Sequence, residues 1–171
     1  MHIMFPMVTN LSELLTAREM VREEKKALGI TEYVPVGIMI EVPAAALLAE
    51  HFAPHVDFFS IGTNDLTQYT LAMDRGHAAL AKEADAFHPA VLQLIAKTCE
   101  AANKHGKWVG VCGGLASDSM ATGLLIGLGV KELSASGNSI AHVKATVRTL
   151  TMAHCQALAE RALAADSPQA V

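Results

Sequence analysis

The sequence predicts an α/β fold on a parallel sheet, organised as the last five strands of a (β/α)8 barrel. Short apolar runs alternate with helix-period segments through most of the 171 residues, the pattern of right-handed β-α-β crossovers. Polar clusters follow the ends of these runs, where parallel α/β proteins place their chemistry. No GxGxxG or Walker-type loop follows the first strand. An open doubly wound sheet is the alternative. The absence of a phosphate loop and a start inside a strand favour the barrel, which needs about 250 residues when whole.

His2 to Met7 is the first strand. Asn10 and Glu13 have capping-box spacing. Leu14, Leu15, Met20, Val21 and Leu28 give a helix stopped at Gly29. Val36 to Ile40 is a continuous apolar strand, followed by a Pro43-initiated helix to Phe52. Asp57 to Ile61 is the third strand, Leu66 to Leu71 a short helix, and Met73 to Phe87 a polar loop. Pro89 to His105 is amphipathic and ends at Gly106. Trp108 to Cys112 is the fourth strand, and Asp118 caps a helix to Leu128. Glu132 to Ala135 is a short fifth strand. Ser139 to Leu150 and Ala153 to Ala164 are closing helices, and the last seven residues are expected to fray.

Composition narrows the function. The net charge is −4 without a Lys/Arg stripe, which argues against nucleic-acid binding. No apolar run reaches membrane-spanning length. Three widely spaced cysteines, Cys99, Cys112 and Cys155, fit a reducing cytoplasm rather than a disulfide framework or a structural zinc site. A 51% apolar content suits a buried parallel sheet or a large oligomer interface.

Two carboxylates carry the chemistry. Glu41 closes the Val36–Ile40 strand, and Asp65 follows Gly62 at the end of the next. Adjacent parallel strands lie about 4.8 Å apart, so the two acids can share one cation. A pair that leaves several positions open suits Mg²⁺ or Mn²⁺. Capping of the following helices is the plainer role for either acid alone. Gly62-Thr63-Asn64-Asp65 also offers backbone N–H groups, with an Asn64 donor, to a phosphate. Arg75 is a candidate fork for phosphate or carboxylate, against the plainer role of a surface arginine. Cys112 ends the fourth strand on the same rim and could act as general acid or base, although a lone cysteine more often fills a core. Met39, two residues before Glu41, is placed to point inward. His88 precedes Pro89 and is expected to be a hydrogen-bonded loop histidine.

These residues bring a resemblance into view. Ile3-Met4-Phe5-Pro6-Met7, Gly37 to Ala45, Asp57 to Gly76, His88-Pro89 and Gly110-Val111-Cys112-Gly113 resemble the C-terminal phosphoenolpyruvate-binding domain of Enzyme I of the sugar phosphotransferase system. They are similar, more distantly, to pyruvate phosphate dikinase and phosphoenolpyruvate synthase. The resemblance runs to about Leu150 and implies a (β/α)8 barrel of the phosphoenolpyruvate/pyruvate type that dimerises in the cytoplasm. It implies Glu41 and Asp65 as Mg²⁺ ligands, Asn64 and nearby amides holding the phosphoryl group, and Arg75 clamping it. Met39 would line the pocket, and Cys112 would protonate the methylene carbon as pyruvate forms. The implied reaction moves phosphate from phosphoenolpyruvate to a histidine on another domain and then to HPr. That histidine domain and further phosphate-binding arginines are expected upstream, so residues 1–171 are expected to be inactive alone. Gly114 stands where many Enzyme I sequences carry Glu. The run Gly113-Gly114-Leu115-Ala116-Ser117-Asp118 looks more like the Enzyme I portion of fused multiphosphoryl transfer proteins. A dimerisation module without chemistry is the reading from a different class.

Overall fold

A computed structural model describes all 171 residues. Five parallel strands form one open sheet: β1 (Ile3–Phe5), β2 (Val36–Ile40), β3 (Phe58–Gly62), β4 (Trp108–Cys112) and β5 (Glu132–Leu133). Their spatial order is their chain order, β1-β2-β3-β4-β5. A doubly wound sheet reverses direction at a switch point, and no reversal occurs here. The sheet therefore has the winding of five consecutive barrel strands. Helices α1 (Leu11–Ala27), α2 (Pro43–Leu47), α3 (Ala49–Phe52), α4 (Thr63–Leu71), α5 (Pro89–Lys104), α6 (Ser119–Gly127), α7 (Gly137–Thr149) and α8 (Met152–Ala164) complete the chain.

Strand alternation divides the sheet into two faces. Ile38, Ile40, Phe59, Ile61, Val109 and Val111 point toward the helices and are all but inaccessible, with Phe52, Leu92, Ile95 and Leu125 packed in the same core. The opposite face is built in rows set by the register. Gly37, Phe58 and Trp108 form the lowest row, in which the Phe58 and Trp108 rings stack 4.6 Å apart at 7°. His2 lies against both rings. Met39, Ser60, Gly110 and Glu132 form the next row. Gly62 and Cys112 pair in the top row, beside Glu41 where β2 ends. Gly37 has no side chain because the Phe58 ring lies over it: a Cβ there would stand 2.7 Å from the ring.

The punctuation follows local chemistry. Asn10 and Glu13 close a reciprocal capping box at α1. His88 caps α5 by accepting the Ala90 N–H at Nδ1, 3.1 Å, so it is the hydrogen-bonded loop histidine expected. Helices or turns end at Gly29, Gly106 and Gly129, with φ of 66°, 65° and 104°, a region that costs glycine little.

Several boundaries differ from the sequence reading. The first strand is Ile3–Phe5 rather than His2 to Met7, because Pro6 and the left-handed Met7 (φ 53°) end the ladder. The Pro43 helix breaks at Leu48, which closes α2 and opens α3. Helix α4 starts at Thr63, three residues before Leu66; its first turn is polar and carries no apolar period. The fifth strand has two residues rather than four. The last residues form a turn at Pro168–Ala170, and Pro168 and Val171 line a hollow with Leu158 and Ala162 of α8.

Helices α6 and α8 meet at Gly127, where a Cβ would fall 1.9 Å from the Cys155 carbonyl oxygen. Replacing a helical glycine by alanine ordinarily stabilises by about 0.5–1 kcal/mol, whereas overpacking costs about 1–3 kcal/mol. The backbone contact decides the sign. Gly127→Ala is expected to lower the urea midpoint by a net loss of about 1–2 kcal/mol, with the slope unchanged.

Candidate functional site

The β3–α4 junction organises the rim. Gly62 ends β3 and α4 begins at the next residue, with no side-chain cap on its first amides. Those N–H groups are the orphan donors of a helix N-terminus. A Cβ on Gly62 would lie 2.9 Å from Met39 Sδ, 3.1 Å from Glu41 Cβ and 3.2 Å from Glu41 Oε2. The Met39 sulfur and the Glu41 carboxylate therefore lean over Gly62, and only glycine leaves them room.

Glu41 is 5% exposed. It does not cap α2, whose N-cap is Val42 without a side-chain bond. Its Oε1 accepts the Met7 N–H at 2.7 Å, and no hydrogen bond engages Oε2. This bond ties the end of β2 to the exit of β1, and Met7 holds its left-handed φ of 53° there. Residues so strained persist where their surroundings fix them.

Asp65 is in the first turn of α4 but is not its N-cap. Its Oδ1 lies 3.1 Å and its Oδ2 3.3 Å from Arg75 Nη2. Arg75 is delivered by α4 itself: its backbone N–H donates to Gln68 Oε1 at 3.0 Å, and Met73 N–H donates to the Gln68 carbonyl. A hollow of about 230 Å³ opens beside Thr63, Asn64, Gln68 and Arg75. Larger hollows lie against α1 (about 540 Å³) and between α5 and α8 (about 300 Å³), away from the paired acids.

β4 completes the rim. Thr63 Oγ1 donates to the Cys112 carbonyl at 3.1 Å, and Gly114 N–H donates to Asn64 Oδ1 at 3.0 Å. With its oxygen engaged, Asn64 turns its NH2 group outward as a donor. Gly113, at φ 93°, is squeezed against α4: a Cβ would lie 2.7 Å from Thr63 Oγ1. Cys112 is half-buried, whereas Cys99 and Cys155 are buried, and all three are free thiols. Burial pushes the Cys99 thiol up to about 12.

Met39, Glu41, Asn64, Asp65, Arg75 and Cys112 thus gather at the carboxyl ends of β2, β3 and β4. Ser60, Gln68 and the Met7 amide were not legible as site residues, and Thr63 was read only as part of the Gly62–Asp65 run. Ser60 alone carried a signal, since period two puts it on the Gly62 face. No group of three His, Cys, Asp or Glu side chains is arranged as a metal cage. A buried glutamate with one oxygen unengaged at the end of β2, and an aspartate in the first turn of the helix after β3, nonetheless fit Mg²⁺, which needs only one or two carboxylates and takes water and substrate oxygens.

The family described as PEP-utilising enzyme, PEP-binding domain, matches residues 1–152. The multiphosphoryl transfer protein of Xanthomonas campestris is 53% identical over 169 residues, 99% of this chain and 20% of that protein. The phosphoenolpyruvate-protein phosphotransferase of Buchnera aphidicola is 41% identical over 175 residues, 99% of this chain and 31% of that protein. That of Listeria monocytogenes is 44% identical over 166 residues, 94% and 29%. The chain therefore spans only 20–31% of the length of these relatives. A solved citrate lyase from Burkholderia xenovorans shares the fold at a TM-score of 0.65 and 16% identity, covering 85% of this chain and 48% of that one.

The exposure of the thiols separates them experimentally. Iodoacetamide at neutral pH is expected to mark Cys112 in the folded protein, while Cys99 and Cys155 label only after unfolding; peptide mass spectrometry reads the order.

Proposed function

The chain belongs to the family of PEP-binding domains of PEP-utilising enzymes, and from that premise we propose that it is the substrate-binding part of a phosphoenolpyruvate-protein phosphotransferase. In this reading it is the C-terminal portion of a (β/α)8 barrel that serves sugar uptake in the cytoplasm and works as a homodimer. The single observation that carries the proposal is the Glu41 carboxylate leaning from the end of β2 over Gly62, the residue that pairs with Cys112 on β4 and directly precedes α4, whose first turn carries Asp65.

Phosphoenolpyruvate is small and densely anionic, so its recognition is mostly electrostatic. The α4 amides and the Asn64 NH2 group donate to phosphoryl oxygens. Arg75 leaves Asp65 and turns its guanidinium to the phosphate. Met39 packs against the methylene end. Glu41 and Asp65 are the residues that would hold Mg²⁺, which would supply charge stabilisation to the anionic substrate. As the P–O bond to the enol oxygen breaks, the phosphoryl group passes to a histidine nitrogen of another domain, and from there to HPr. The Cys112 thiol gives its proton to the methylene carbon, yielding pyruvate. The multiphosphoryl transfer proteins and phosphotransferases at 41–53% identity support this reading.

Two measurements test it. Titration calorimetry of the 171-residue chain with phosphoenolpyruvate and Mg²⁺ is expected to show binding that Asp65→Ala abolishes; an equal signal in both proteins, or none in the wild type, overturns the assignment. Arg75→Gln is expected to act in two directions. It frees Asp65 and strengthens Mg²⁺ binding without substrate about two- to fivefold, the range of a partly exposed ion pair, yet it weakens phosphoenolpyruvate binding.

A further inference from the structure

Ser60 stands one row below Gly62 on the open face of β3 and is half-buried. Its Oγ donates toward Cys112 Sγ at 3.6 Å, and Cys112 Sγ donates to the Ile61 carbonyl at 3.5 Å. Both separations suit the larger radius of sulfur. The thiol thus receives one hydrogen bond and gives one, both across the β3–β4 ladder.

We propose that Ser60 is the positioning residue of the Cys112 thiol, fixing the sulfur at the rim and stabilising the thiolate that remains once the proton is given away. The inference rests on the reading of Cys112 as proton donor to the enolate carbon. In that step the S–H bond breaks and its electron pair stays on sulfur. The enolate π pair forms the new C–H bond, and the C–O bond becomes the carbonyl of pyruvate. Ser60 keeps its own proton and points it at the sulfur throughout.

The direction of the effect follows from charge. A hydroxyl donates weakly to a neutral thiol, whose sulfur is a poor acceptor. The same bond to a thiolate is charge-assisted and roughly twice as strong. The interaction therefore strengthens as the proton leaves, the condition for helping the step rather than the resting state. The other charged and titratable groups on the open face and its rim come from the neighbouring elements. Glu41 comes from the end of β2, Asp65 with its partner Arg75 from α4 and the loop after it, and Glu132 from β5 beside Gly110. His2 lies at the floor of the same face. None of them bonds to Cys112 Sγ, whose only hydrogen-bond partners are Ser60 Oγ and the Ile61 carbonyl.

Thiol chemistry tests this without substrate or metal. The rate of Cys112 alkylation by iodoacetamide is followed against pH in the native 171-residue chain, with unlabelled Cys99 and Cys155 reporting that each variant remains folded. Ser60→Ala is expected to move the profile to higher pH and to slow labelling at pH 7 about tenfold, the change that roughly 1.4 kcal/mol of lost thiolate stabilisation produces. Ser60→Thr keeps the hydroxyl and is expected to restore the wild-type profile. A purely structural serine would leave the profile in place, or speed labelling by opening access, and either result for Ser60→Ala overturns the proposal. A Ser60→Thr profile matching that of Ser60→Ala overturns it equally. Because neither phosphoenolpyruvate nor Mg²⁺ enters the assay, loss of the calorimetric signal and loss of the thiol effect are separate outcomes.

Discussion

Pairing of β3 with β4 brings Gly62 level with Cys112, and the arrangement of the rim follows from that register. Side chains alternate along a strand, so a slip of one residue would exchange the two faces of the sheet. If β4 slipped, Gly110 and Cys112 would turn into the helical layer and Val109 and Val111 would be expelled from it; if β3 slipped, Ser60 and Gly62 would exchange with Phe59 and Ile61. Burial of those four apolar side chains therefore holds the polar ones in place. Neighbouring β2 is locked by the same logic through Ile38 and Ile40, which sets Met39 and Glu41 on the open face. The site needs no stabilising network of its own to keep register. It is the reverse side of the hydrophobic core.

Within this frame, glycine decides where charge can go. Gly62 admits the Glu41 carboxylate, Gly37 admits the Phe58 ring, and Gly113 lets the chain after β4 come close enough for Gly114 to bond Asn64. Each removes a side chain where another group must approach. The cost is a rim with little apolar packing, and the hydrogen bonds from Met7 to Glu41 and from Thr63 to Cys112 fasten it instead. Arg75 neutralises Asp65 across this loosely packed surface.

Much of the fold was legible in the sequence because its strongest signals are local. Continuous apolar runs marked the buried strands, Pro89 marked the start of α5, and Asn10 with Glu13 marked that of α1. Chain-order winding followed from strand–helix alternation and the lack of a phosphate loop. Boundaries failed where polar residues begin a helix, as at Thr63, and where a turn interrupts alanine-rich sequence, as at Leu48. At the rim, residues at or just after strand ends announced themselves: Glu41 after β2, Cys112 at the end of β4, and Asp65 in the first turn after β3. What escaped were groups acting through the backbone or one step removed. Met7 contributes an N–H that no residue type advertises, Gln68 steers Arg75 through its amide, and Ser60 is a small hydroxyl in an apolar run.

The aromatic stack beneath the rim has a practical consequence. Trp108 is the sole tryptophan, and it lies on β4 four residues before Cys112, with its ring against Phe58 and near His2. Indole emission from this protein therefore originates at one point, in the lowest row of the open face beneath the rim. The molecule carries its own optical gauge: a shift in that emission reports movement of β3 against β4, with no dye attached.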